Sequence, residues 1–337
     1  MFARVLAAVV VLAAAIGLLI AAWPQLFGLQ VAPGIAQVVA LRGAAAAVAL
    51  VLVVALLLVA LVSRRARRFA ASLALVVLVF ALLNAAVIVT RGVGDTAFET
   101  KGASDLTVLT WNTLGDVPGA EVIADLIIET DADIVSLPET TRETGIAIAN
   151  LMRTADKPMW VYTSFYDVVS KARSTTLLVS ADLGEYNFDE GARTTSVLPS
   201  VVATPADGSG PVIVAVHSVA PIPGQMQNWR DDLDWLSAAC EGENVIMAGD
   251  FNSTLDHYAG LSDSTEATIG DCVDAGSLSD NAGVGTWPTS IPALAGAPID
   301  HVMQTDNWRV SGMRVIGTHD GYGSDHRPVL VQLSPAA

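Results

Sequence analysis

Short apolar runs in this 337-residue chain repeatedly end on a polar group able to do chemistry. Residues 106–111 run into Asn112, 134–137 into Glu139, 212–216 into His217, and 245–248 into Gly249-Asp250-Phe251-Asn252. Pro298-Ile299 leads into Asp300-His301, and Ser324-Asp325-His326-Arg327-Pro328 precedes a last apolar run over 329–333. In an α/β fold the ends of neighbouring strands converge, so these groups are expected to share one cleft. Within residues 250–252 an extended backbone points i and i+2 the same way, presenting Asp250 and Asn252 together while Phe251 turns into the core. A hard cation such as Mg²⁺ takes oxygen ligands, commonly one or two carboxylates with water and a phosphate completing the shell. Asn112, Glu139 and Asp325 supply that inventory.

Each of these residues also has a plainer reading. Asp250 and Asn252 are common turn formers after a strand. Glu139 reads equally as an exposed loop carboxylate, Asn112 as a strand-end cap, His217 as a satisfied structural histidine, and Asp300 with His326 as a surface pair. What weighs against the plain readings is their joint occurrence at strand ends. His257, His301 and His319 are expected to be structural or peripheral, Arg327 a surface or supporting group, and Trp287-Pro288 a loop bordering the cleft.

Trp111-Asn112, Leu137-Pro138-Glu139-Thr140, His217, Gly249-Asp250-Phe251-Asn252, Ile299-Asp300-His301 and Ser324-Asp325-His326-Arg327-Pro328, in this order, resemble the endonuclease/exonuclease/phosphatase superfamily. That superfamily comprises deoxyribonuclease I-like metal-dependent phosphohydrolases. The resemblance covers about residues 106–333, with Pro138 standing where members more often carry glutamine. It implies a four-layer α/β sandwich with two central sheets and a Mg²⁺ or Mn²⁺ site. Glu139 would be the main metal ligand, with Asn112 and Asp325 nearby. Asp250 would orient or deprotonate the attacking water, and Asn252 and His217 would contact the phosphate. His326, polarised by Asp300, would hold the scissile phosphoryl group, since a carboxylate beside imidazole favours imidazolium and fixes its ring.

The elements that must position these residues follow from local pattern. Strand-like runs are expected at 106–111, 132–137, 159–166, 175–180, 196–203, 212–217, 244–248, 299–303 and 329–333. Helical periodicity appears in Val122, Ile123, Leu126 and Ile127, with Pro118 as a first-turn proline, and again in Trp229, Leu233 and Leu236.

Ahead of this α/β portion the chain changes character. Hydrophobic residues make up 52% and charged residues 15% of the whole, too apolar for a wholly soluble protein. Residues 1–94 hold seven basic and no acidic residues, leaving 11 basic against 34 acidic in the remainder, a formal −23. Three charge-free runs, about 5–23, 43–62 and 69–90, meet the length of about 20 residues that a helix needs to cross a bilayer. The expected organisation is a membrane domain over 1–94, a linker over 95–104 and a catalytic domain over 105–337. Four arginines between the second and third runs are expected to stay cytoplasmic. Three crossings then place the catalytic domain outside the cytoplasm, in a multi-pass protein of the cell membrane. Cys240 and Cys272 fit that compartment as a disulfide closing a loop of about 30 residues, worth roughly 3–4 kcal/mol, or equally as two buried thiols.

The phosphate loop, the Gly-x-Ser-x-Gly elbow and His-Glu-x-x-His are all absent from the sequence. A portion at −23 is poorly equipped to neutralise nucleic acid phosphates, whereas a bilayer anchor concentrates membrane substrates. The expected function is a membrane-anchored, outward-facing Mg²⁺-dependent phosphoesterase acting on a small molecule or lipid headgroup. An extracytoplasmic nuclease is the alternative enzyme, and a non-catalytic, membrane-tethered binding module the alternative of another class.

Overall fold

The computed structural model describes residues 2–94, 96–167, 169–262 and 267–336; Asp95, which opens the expected linker, lies outside them. Four helices come first: α1 (Phe2–Ala22), α2 (Ile35–Ala40), α3 (Arg42–Val62) and α4 (Arg67–Arg91). α1, α3 and α4 are long and apolar enough to cross a membrane, and their windows are built largely of Ala, Leu and Val. Next in chain order are β1 (Leu106–Thr110), α5 (Ala120–Thr130), β2 (Ile134–Pro138), α6 (Arg142–Thr154), β3 (Met159–Phe165), β4 (Ser174–Ser180), β5 (Tyr186–Phe188), β6 (Val201–Pro205) and β7 (Val212–His217). The chain finishes with α7 (Met226–Ala239), β8 (Val245–Asp250), β9 (Thr268–Ile269), β10 (Cys272–Asp274), β11 (Asp300–Gln304), β12 (Trp308–Val315) and β13 (Val329–Pro335).

The strands form two mixed sheets, one in the order β12, β13, β1, β2, β4, β3 and the other β5, β6, β7, β8, β11, β10, β9. Their inner faces meet in a core containing Val108, Ile134, Leu177, Ile213, Ala248 and Val331, all fully buried. α5 and α6 cover the outer face of the first sheet through Ile123, Ile127, Ile148 and Met152. α7 covers the second through Trp229, Leu233 and Leu236. The result is the expected four-layer α/β sandwich.

Each sheet contains one parallel pair, β1 with β2 and β7 with β8. A parallel pair needs a crossover, and α5 and α7 supply the two. α5 starts one residue after Gly119, its N-cap, so Pro118 precedes the helix instead of occupying its first turn. The strand expected over 196–203 is displaced to β6, because Pro199 has no N–H for a ladder. Hydroxyls take over there: Thr195 Oγ1 donates to Leu198 O, and Thr194 Oγ1 accepts from Ser200 N.

Cys240, the residue after α7, is disulfide-bonded to Cys272 at the start of β10. The segment following α4 runs along the first sheet: Thr96 pairs with Met313, Glu99 N donates to Ser311 O, and Gln332 Nε2 donates to Glu99 O.

The N-terminal helical elements are fastened to the sandwich by polar contacts. Asp256 receives Arg42 Nε and Nη2 at 2.9 and 2.6 Å and Arg91 Nη1 and Nη2 at 2.7 and 2.9 Å. Gln25 donates to the same carboxylate, and Arg42 Nη1 also reaches Asn84 Oδ1 at 2.8 Å. At α2, His257 Nε2 lies 3.2 Å from Ala36 O. Arg230 donates to Val31 O from Nε and Nη2.

Candidate active site

Strand register brings the polar residues together. Asn112 and Glu139 follow β1 and β2, which run parallel, so both lie at the same end of the first sheet. β7 and β8 are also parallel, and their last paired residues are His217 and Asp250. β11 is antiparallel to β8 with Asp300 opposite Asp250, so it begins where β8 ends. β13 is antiparallel to β1 with Val329 opposite Thr110, which puts Asp325 and His326 beside Asn112. All eight residues singled out in the sequence therefore meet at one rim of the sandwich.

Their contacts form a continuous network. Asn112 Nδ2 donates to Glu139 Oε1 at 3.2 Å and to Asp250 Oδ2 at 3.0 Å, linking the two sheets. Asp250 Oδ1 accepts the Asn252 backbone N–H at 2.8 Å, while Asn252 Nδ2 donates to Ser218 O and to Asp250 Oδ2. Glu139 and Asn252 sit in the left-handed region, with φ of 59° and 45°. Such strain in a non-glycine residue persists where the surrounding bonds impose it. His326 Nδ1 is 2.8 Å from Asp300 Oδ2, and its Nε2 is 3.9 Å from both Asp250 Oδ2 and Asp325 Oδ1. Nε2 is thus directed into the site with no carboxylate oxygen inside hydrogen-bond reach. His217 Nδ1 lies 3.1 Å from Thr175 Oγ1.

Burial sets the protonation tendencies. It drives the His217 ring down to about 3, helped by the charge of His326, so His217 is neutral at ordinary pH. Burial also pulls His326 down, but the Asp300 and Asp250 carboxylates outweigh it and hold the ring well above the usual histidine range. The Asp250 carboxyl is pushed up by burial and by Asp300, against the opposing charge of His326. Glu139 is raised by burial, with the Asn112 hydrogen bond and His326 opposing.

The donor set suits a divalent metal. Asn112 Nδ2 bridges Glu139 and Asp250, His326 Nε2 lies 3.9 Å from both Asp250 and Asp325, and Oδ1 of Asp325 and of Asp300 are buried without a hydrogen-bond partner. An orphaned carboxylate oxygen in such a place is costly unless a cation or water satisfies it. Among the described residues, Asp250, Asp300 and His326 also offer ligand atoms within 4.8 Å of one another. This grouping differs from Asn112, Glu139 and Asp325, expected from the sequence. Asn112 turns its amide nitrogen to the carboxylates while its Oδ1 accepts from Leu114 N, so a ligand role requires the amide to rotate.

The site opens into a cavity of about 480 Å³ bordered by Glu139, His217, Asp250, Asn252, Trp287 and His326. Trp287, expected only to border the cleft, donates its indole N–H to Asp325 Oδ2 at 2.9 Å. Arg327, expected at the surface or in support, is 3% exposed and binds Asp320 and the carbonyls of Gly285, Pro288, Thr289 and Ile291. It clamps the Trp287 loop. His257 and His301 are structural as expected, the latter held between Asp274 and Ser253 O. His319 is peripheral, stacked on Tyr322.

Sequence reasoning did not find Thr175, whose hydroxyl gives no local signal. Nor did it find Gln37, Ala40 and Leu41, which wall the cavity from the N-terminal helical segment. Leu41 adjoins an apolar span, and its sequence looks the same whether it faces lipid or a cavity.

The sequence profile of the Endonuclease/Exonuclease/phosphatase family matches residues 109–326. Among curated proteins, none matches the chain. Of solved structures, a humanized TDP2 from D. rerio superposes with a TM-score of 0.53 at 17% identity, over 69% of this chain and 100% of that one. An endonuclease/exonuclease/phosphatase from Beutenbergia cavernae gives 0.51 at 18% identity, over 69% and 72%. D. rerio TDP2 complexed with a single-stranded DNA product gives 0.50 at 17%, over 68% and 99%. At these identities the likeness is one of fold.

Proposed function

The chain belongs to the endonuclease/exonuclease/phosphatase family, and from that premise we propose that it is a membrane-anchored, divalent-metal-dependent hydrolase of phosphoesters, with its catalytic domain outside the cytoplasm. The substrate is a phosphodiester or phosphomonoester of a small molecule or a lipid headgroup. The observation that carries this reading is the meeting of eight chemically apt side chains from both sheets at one rim, five of them lining a cavity that the N-terminal helical segment helps to wall.

Glu139, Asp325 and, with its amide rotated, Asn112 would hold Mg²⁺ or Mn²⁺. Bound there, the cation would neutralise phosphoryl oxygens and stabilise the leaving oxygen. The residues do the rest. Asp250, with its carboxyl raised toward the working range by burial, orients the attacking water and accepts its proton. His217 is neutral; with Thr175 donating to Nδ1, its Nε2–H is left to donate to a phosphate oxygen. Asn252 Nδ2 lies beside Asp250 and offers a second donor. His326, kept cationic by Asp300, directs Nε2–H at the scissile phosphoryl group.

The test is an unbiased panel of phospholipids, sugar phosphates, small diesters and plasmid DNA, presented to the full chain in nanodiscs with and without Mg²⁺ or Mn²⁺. Turnover that requires metal is expected. Asp250→Asn should lower it by about 10²–10⁴-fold, the usual weight of a proton-transfer group, with the melting profile retained. Efficient DNA cleavage with no turnover of lipid or small ester would replace the substrate class with the nuclease alternative. Binding of phosphoesters without any hydrolysis would leave only a tethered binding module.

A further inference from the structure

The catalytic cavity has one wall that no phosphate chemistry requires. Gln37, Ala40 and Leu41 from α2 and its junction with α3 line it together with Leu198, Pro221 and Ile222. A second cavity of about 460 Å³ is bordered by the same Gln37 and Leu41 and lies between the long helices. It passes Ala44, Ala45 and Val48 of α3, with Leu18 of α1 and Phe80 of α4 on its other sides, and ends near Leu52 and Val77. Gln37 is the one polar side chain along this second cavity, and both ends of its amide are engaged, Oε1 by Gly34 N and Nε2 by Pro221 O. The two cavities therefore adjoin at Gln37 and Leu41, and the second presents hydrocarbon along the apolar spans.

Its depth is informative. Leu52 lies ten residues along α3 from Arg42, about 15 Å at the helical rise of 1.5 Å per residue, which is half the thickness of a bilayer's hydrocarbon core. A groove that begins at a phosphoester site and runs down one leaflet's depth is shaped for a molecule with a phosphate at one end and an aliphatic chain at the other. Because each methylene drawn from lipid into water carries a cost, a groove open to the bilayer lets the phosphate reach the site while the chain stays in apolar surroundings.

We infer that the substrate is a membrane lipid phosphoester of the leaflet next to the catalytic domain, its aliphatic chain lying in the groove between α1, α3 and α4 while its phosphate enters beside Glu139, Asp250 and His326. This rests on the hydrolase reading above and names its substrate class. Ala44, Ala45 and Val48 set specificity for a chain without touching the reacting phosphate.

The experiment uses the full chain in nanodiscs with Mg²⁺ or Mn²⁺. The substrates are phosphatidic acid, phosphatidylglycerol and phosphatidylethanolamine, each paired with its deacylated headgroup ester. At least one lipid is expected to turn over tenfold or more faster than its deacylated partner. Ala45→Phe, and separately Val48→Trp at a more exposed position, should lower lipid turnover at least tenfold and leave the deacylated ester within twofold. Equal turnover of lipid and deacylated ester, or lipid turnover indifferent to both variants, would overturn the groove and leave the hydrolase intact. In parallel, phosphatidylglycerol carrying a diazirine in its chain is photolysed with metal chelated, so that labelling does not depend on catalysis. Labels concentrated on residues 41–52 are expected, and uniform labelling around the three helices would argue for ordinary lipid solvation only. Concentrated labelling without turnover of any ester would retain the groove and remove the hydrolase.

Discussion

Asp256 shows how much a single carboxylate decides here. It is 1% exposed between guanidinium groups from the ends of two long helices, themselves 6% and 14% exposed. Burial alone would raise its carboxyl, yet the charge of Arg91 and hydrogen bonds from Arg42 and Arg91 hold it well below the usual carboxylate range. A depressed folded-state value means that the pair's contribution to stability is complete above the ordinary carboxylate value of about 4 and fades as pH falls below it. Melting wild type and Asp256→Asn side by side in nanodiscs between pH 3 and 7 separates this contribution from those of the raised Asp250, Glu139 and His326. Asp256→Asn removes one partner of a buried pair, which costs roughly 3–5 kcal/mol. The variant should melt lower than wild type at pH 7, with the gap narrowing toward pH 3. A gap that is constant across the range would show that Asp256 acts through shape and not charge.

At the scale of elements, the site depends on how closely β7 and β8 approach. Gly249, opposite Val216 in the register, has φ of 153°, and a Cβ there would stand 2.0 Å from Val216 O. Gly249→Ala must push the strands apart and carry Asp250 away from Asn112, so a loss of more than about 3 kcal/mol in urea unfolding is expected, together with loss of turnover. Unchanged unfolding would mean that the pair can shift at little cost. Gly43 makes a comparable approach elsewhere, since a Cβ there would meet Leu294 O at 1.8 Å, and this closeness seats α3 against the sandwich. Elements with divided character were the ones local pattern did not reveal. β12 is an edge strand with a register shift between Val310 and Gly312 and charged Arg309 and Arg314 along it, so it lacks the apolar run of a buried strand. α6 buries only Gly145, Ile148 and Met152, and its clearest signal is the Thr141 cap, whose hydroxyl accepts the Thr144 N–H.

For the whole molecule, the distribution of charge predicts an orientation. The four arginines at 64, 65, 67 and 68 are expected on the cytoplasmic side, and the sandwich, with its formal −23, is then expected on the other. Both native cysteines are disulfide-bonded, so an introduced thiol is the only one available to a membrane-impermeant maleimide. Asp182→Cys on the sandwich should be labelled in intact cells, and Ala66→Cys between α3 and α4 only after permeabilisation. The reverse pattern would turn the protein over and end the outward-facing enzyme. The docking of the sandwich onto α2 and the helix ends also fixes which rim of the sheets lies toward the apolar helices.

While the four-layer sandwich was implied by the family resemblance of the motifs, the residues alone indicated three apolar helices, an α/β portion and eight polar side chains at strand ends. Each is written in local terms: uninterrupted hydrocarbon of membrane length, alternating strand and helix pattern, and side chains placed just beyond an apolar run. The packed fold settled which atoms of those residues face one another, because strand register and the rotation of an amide such as Asn112 depend on partners over a hundred residues away. It also decided that the segment around Gln37 and Leu41 walls the catalytic cavity. A leucine beside an apolar span lowers its free energy equally against lipid or against protein, and only the packing of the remote sandwich upon it separates the two.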